Sequence, residues 1–192
     1  MQIAVDAPYE LIYLLFVRYG WRLDLAELPN VDPVPAKGTS QRPAAIDPAE
    51  AAARWHREWS RALTRFEPLD RIVREPDEET ARLLRELPDD RLAQAFSTMP
   101  SAFWAEGTDR DAFNSWSESL RDDHSLPLAE RPERLCLDAL VPAWRTGLTT
   151  VIQLPYAGHF AERLNAATLI VSRVTRHNPS LYRQALGIPS PG

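Results

Sequence analysis

Seventeen prolines in 192 residues, against only seven glycines, limit this chain more than any other feature does. Proline fixes φ, removes a backbone donor and drives the preceding residue out of the helical region. A chain this rich in it divides into short elements with stiff connections. Between the prolines the chain is 44% apolar and 26% charged, enough for a buried core inside a solvated surface. The length suits a single globular domain over residues 1–192.

The clearest local signal is Asp47-Pro48-Ala49-Glu50. Asp47 suits the cap, Pro48 is preset for the first helical position and Glu50 completes a capping box, so a helix is expected from there to about Phe66, stopping before Pro68. Ala52, Trp55, Trp59, Ala62, Leu63 and Phe66 share an arc of roughly 100° on it. That spacing makes Trp55 and Trp59 core residues rather than a stacking platform, with His56 at the edge of the apolar face. A second helix is expected from about Pro8 to Tyr19, closed by Gly20. Its apolar run, Leu11 to Val17, is shorter than the roughly 18 residues a membrane span needs. Asp6 and Glu10 precede the run, unlike the basic start of a secretion signal. Further helices are expected over 77–87, from Asp89 or Asp90 to 96, from the 107–111 cap to about Asp123, over 132–141, and from Asn178-Pro179 to Leu186. Asp89-Asp90, Asp122-Asp123 and His124 then sit at helix ends, where caps and dipole partners belong. Prolines 29, 33, 35 and 43 make 28–47 an exposed loop or linker, and 188–192 a frayed tail.

After Gly147 the pattern changes. Residues 148–154 and 168–175 are β-branched and read as strands, joined by 156–165 as about one helical turn. The expected fold class is therefore α+β: a mostly helical body with a small C-terminal antiparallel β-hairpin, joined by an N-terminal strand near residues 2–5.

The chemistry-bearing motifs are sparse. No two glycines stand at Gly-x-Gly spacing, which removes the dinucleotide and Walker phosphate loops; Gly-x-Ser-x-Gly and His-Glu-x-x-His are also absent. The lone Cys136 sits between leucines, where a thiol is inert filler, and with no disulfide framework the chain suits a reducing, cytoplasmic setting. Twenty-one of the 22 basic residues are arginine, Lys37 being the exception, a bias best explained by codon usage. Residues 1–130 carry a net charge of −9 and residues 131–192 a net of +4. The basic C-terminal part holds the candidate ligand-binding residues Arg145, His159, Arg163, Arg176 and His177. In an antiparallel hairpin His159 and Arg163 fall at one end, and Arg176, His177 and Arg145 at the other.

These features support a binding or regulatory protein that works through a protein partner, without catalytic residues, metal or cofactor and with no membrane association. An alternative is an enzyme or sensor for a small anion using those C-terminal residues. A helix, two strands and a basic connection also stand in the order of a winged helix-turn-helix, with 132–141 as helix and 155–167 as wing. Only Arg163 is a permanent cation there, beside Glu162, and the helix carries Glu133 and Asp138. That charge argues against nucleic acid, which needs several phosphate contacts.

Overall fold

The computed structural model describes residues 3–38, 40–66, 102–121 and 126–190. The helices expected over 77–87 and 89–96, the Asp89-Asp90 and Asp122-Asp123 pairs, His124 and the last two residues of the tail lie outside the described residues. Within them, β1 (Ala4–Asp6) leads into α1 (Tyr9–Gly20), α2 (Pro48–Thr64) and α3 (Arg110–Ser119). Then come α4 (Pro132–Leu135), α5 (Leu137–Arg145), β2 (Thr150–Leu154), β3 (Ala161–Arg163), β4 (Thr168–Ser172), α6 (Arg173–His177) and α7 (Pro179–Leu186).

The caps form where the sequence places them. Asp47 accepts from the Ala49 and Glu50 N–H groups at 2.9 and 3.1 Å. Asp109 caps α3 in the same way, and Asn178 caps α7. The helix expected over 132–141 breaks at Cys136 and runs on to Arg145 with Pro142 inside it. Packing of Leu140 and Ala143 into the core overrides the proline there.

The fold is α+β, and the described residues form a four-stranded sheet ordered β1-β2-β4-β3. An antiparallel hairpin closes the C-terminal side, but its arms are β3 and β4. The two strands read from the sequence, β2 and β4, run parallel, with Thr150 opposite Thr168 and Leu154 opposite Ser172. β1 joins the other edge of β2, also in parallel. Two features cause this. The connection 155–167 supplies the dozen residues a parallel crossover needs. And Thr-Leu-Ile-Val-Ser and Thr-Val-Ile-Gln-Leu are nearly continuous apolar runs, the mark of strands covered on both faces rather than one.

Both faces are covered. Ile152, Leu154 and Ile170 pack in one core with α1, α2 and α3. Val151, Leu169 and Val171 pack in a second core with Cys136, Leu140 and Tyr182. In the first, Trp55 is fully buried and stacks on Trp59 at 4.8 Å, while its indole N–H donates to the Leu14 carbonyl at 2.7 Å. Both tryptophans are core residues, as their spacing predicts.

The 28–47 segment is strapped to this body. Val31 bridges to Tyr156, the Asp32 N–H donates to the Pro155 carbonyl, and the Trp116 indole donates to the Pro33 carbonyl at 2.8 Å. Arg18 holds its approach by donating to the carbonyls of Leu25, Leu28 and Pro29. Lys37, beyond these anchors, is exposed.

The end of α1 also departs from expectation. Gly20 is its last helical residue, and the chain turns two residues later. The Leu23 N–H bonds the Arg18 carbonyl and the Arg22 N–H the Tyr19 carbonyl, a Schellman closure. Arg22 takes its left-handed position at φ 53°, where glycine is usual and another residue costs about 1 kcal/mol. Glycine is required at position 20 for a different reason: a Cβ there would stand 2.7 Å from the Ser40 Cβ.

Candidate functional site

Parallel pairing turns the carboxyl ends of β1, β2 and β4 to one side, and this rearranges the five candidate residues. Arg145 ends α5 ahead of the amino end of β2 and is exposed. Arg163 is 8% exposed; its Nε donates to the Asn165 carbonyl at 2.9 Å and a terminal nitrogen to that of Ala166. Burial lowers its pKa, and its hydrogen bonds serve the β3–β4 turn. Residues 161–163 are strand rather than helical turn, so Glu162 and Arg163 point to opposite faces and do not cluster with His159. Residues 155–167, the expected wing, form the connection from β2 to β4 and carry β3 within it. His159, Arg176 and His177, by contrast, all lie beyond the carboxyl end of the sheet, where they form two centres.

The first is a knot of hydroxyls. Ser172 ends β4 and caps α6, accepting from the Thr175 N–H at 3.1 Å and donating to the Gly158 carbonyl at 2.7 Å. The Thr175 hydroxyl lies 2.8 Å from that of Ser172 and donates to the Phe160 carbonyl at 2.9 Å. With the one hydroxyl hydrogen of Thr175 so used, its 2.8 Å contact with His159 Nδ1 closes when the ring nitrogen carries the hydrogen. This tautomer is assigned from the donor count. Ser172 and Thr175 are fully buried, so the knot pins the loop after β2 onto the β4–α6 corner and offers no accessible nucleophile.

The second centre is built on Arg176. Its Nε and one terminal nitrogen meet the two Glu133 carboxylate oxygens at 2.8 and 3.1 Å, a bidentate pair. The other terminal nitrogen donates to Gln153 Oε1 at 2.9 Å. Gln153 is the polar residue in an otherwise apolar stretch of β2, turned toward this pair. The Tyr182 hydroxyl reaches Glu133 at 3.5 Å. Burial, with Glu133 nearby, raises the Tyr182 pKa, so the phenol remains a donor. Above this floor opens a crevice of about 380 Å³ at the ends of β1 and β2. Asp6, Arg121, Arg131 and His177 line it together with Arg176 and Glu133.

Sequence reading found Arg176 and His177 but missed Asp6, Arg131, Glu133 and Gln153. The one signal for them was Gln153, a lone amide within a buried apolar run. Among the described residues, no group of His, Cys, Asp and Glu side chains is arranged to hold a metal ion, and no helix is long and apolar enough to cross a membrane. No protein-family model, curated protein or solved structure matches the chain.

Proposed function

We propose that the protein binds a small polar molecule in the crevice at the carboxyl end of β1 and β2. The supporting observation is the lining of that crevice. The Arg176–Glu133 pair forms a neutral, fixed floor, while Asp6 and Arg131 bring opposite charges to the rim. The carboxyl ends of parallel strands are where α/β sheets hold ligands. A two-signed lining suits a molecule with an anionic group and a donor, such as an amino acid or amino sugar acid, better than a simple anion. Binding to the native state alone raises stability by mass action, about 2.7 kcal/mol at a hundredfold excess over Kd. For a chain of this length that is about 5 to 11 °C in Tm.

The test is a thermal-shift panel of amino acids, hydroxy acids and amino sugar acids, repeated on Asp6→Asn and Arg131→Ala. A shift of that size which both substitutions remove supports the reading. No shift from any member, or one that survives both changes, overturns it. A second reading, a protein partner, is favoured by the large apolar side chains left exposed at Leu128, Leu135 and Trp144. It predicts no small-molecule shift and weaker partner capture on Trp144→Ala.

A further inference from the structure

The geometry points to a second binding site, for an organic anion, in the groove between the end of α1, the 28–47 strap and the start of α2. This groove, about 890 Å³, is larger than the strand-end crevice and lies apart from it, sharing no lining residue with it. Its walls come from residues 19–24, from 36–38 and 40–42, and from the first turns of α2 at Pro48, Ala49 and Ala52. Three cations line it, Arg22, Lys37 and Arg42, against one carboxylate, Asp24.

The cations differ in what already holds them. Arg42 is tied back to the carbonyls of Pro43 and Ile46. Arg22 and Lys37 make no side-chain hydrogen bond or ion pair among the described residues. Arg22 is also the residue held left-handed in the turn that closes α1, the position that glycine would fill without strain. Strain kept at a cavity wall points to a use for the side chain. A smaller cavity, lined in part by Tyr19, Leu23 and Asp24, also opens against Arg22, so this residue lines both hollows. The α2 N-terminus contributes little, because Asp47 already takes its Ala49 and Glu50 N–H groups. The anion is held by side chains: bidentately by Arg22 and as a point charge by Lys37. The organic part lies against Leu23, Ala36, Ala49 and Ala52. Phosphate and carboxylate share this chemistry, and the test separates them.

Lys37, the chain's single lysine, gives a direct probe. Pyridoxal 5′-phosphate condenses with its amine, losing water, and borohydride reduces the imine to a stable secondary amine that peptide mapping locates. Unphosphorylated pyridoxal is the control, and the urea-unfolded chain supplies the intrinsic ratio of the two reagents. In the native chain, Lys37 is expected to reach half-labelling at about one tenth the relative concentration of the phosphorylated reagent, the gain of one charge-assisted contact. Arg22→Gly removes the cation while giving the turn its preferred residue, so misfolding does not confound it. It should return the ratio to the unfolded value, and Arg22→Lys should restore part of it. Inorganic phosphate and citrate, as competitors, distinguish a phosphate site from a carboxylate site. Equal native and unfolded ratios, or an advantage that persists in Arg22→Gly, would overturn the proposal. Labelling that ignores Asp6→Asn keeps this result separate from the fate of the strand-end crevice.

Discussion

Replacing Arg176 by methionine tests whether the pair under the crevice holds the two halves of the C-terminal layer together. The Arg176 side chain is 8% exposed and that of Glu133 is 24% exposed. The substitution keeps most of the apolar stem but strands a largely desolvated carboxylate on α4 and removes a hydrogen bond from Gln153. Breaking a buried pair from one side costs about 3 to 5 kcal/mol. The remaining exposure of Glu133 argues for the lower end, about 3 kcal/mol, or roughly 6 to 12 °C in Tm for a chain of this length. Glu133→Leu alone strands the guanidinium instead and should cost a similar amount. The double variant removes both charges of the pair, and apolar replacements of similar volume are often neutral for such pairs. It should therefore recover to within about 1 kcal/mol of the parent, giving a large coupling in a double-mutant cycle. Urea unfolding followed by tryptophan fluorescence and by circular dichroism measures all four proteins. The single-variant costs should persist at high salt, because a buried pair is screened far less than a surface one. Costs that simply add in the double variant, or single costs that vanish in high salt, would refute the buried-pair account.

Two other expectations follow from the backbone and the phenols. Gly20→Ala should destabilise by about 1 to 3 kcal/mol through the clash with Ser40, although helix propensity alone favours alanine. Arg22→Gly, two residues on, should stabilise by about 0.5 to 1 kcal/mol; the same sign for both in denaturant melts would contradict the Schellman closure at Arg22. Burial is the largest cause raising the pKa values of Tyr13, Tyr156 and Tyr182. With folded values above the unfolded one near 10, their contribution is complete below about pH 10 and is lost as pH rises beyond it. Ultraviolet titration should show these three phenols ionising together with alkaline unfolding, and smooth ionisation of all five tyrosines before unfolding would contradict their burial.

The helical half of this fold was legible because its signals are local. Asp47, Asp109 and Asn178 each place a side-chain oxygen two and three residues before N–H groups that need one, and no distant contact changes that arithmetic. Trp55 and Trp59 were legible through period alone. Closure of α1 was not, because the sequence shows a glycine where helices often end, while the steric demand on Gly20 comes from Ser40 across the groove. The anchoring of 28–47 was hidden for the same reason: its partners are an indole on α3 and the backbone of residues 155–157 after β2, far away in the chain.

The site was half legible, and strand direction decides which half. Arginine and histidine types marked Arg176 and His177, but their company depended on how β2 meets β4. An antiparallel pair would carry residue 176 back toward Arg145 and leave His159 at the far end. The parallel pair instead brings the residues after β2 and those after β4 to one side, so Thr175 meets His159 while the next residue, Arg176, meets Gln153 of β2. The evidence for parallel pairing was present in composition: five-residue runs with almost no polar alternation demand cover on both faces, and only a crossover leaves room for two helical layers. Gln153 then has a physical reason to break its run. On the second face of a parallel strand near its carboxyl end, an amide oxygen can accept from a buried guanidinium, and an apolar residue there would leave that N–H without this partner. The apolar runs are thus the sequence feature that carries the sheet's direction, and the single polar residue inside one of them marks the floor of its crevice.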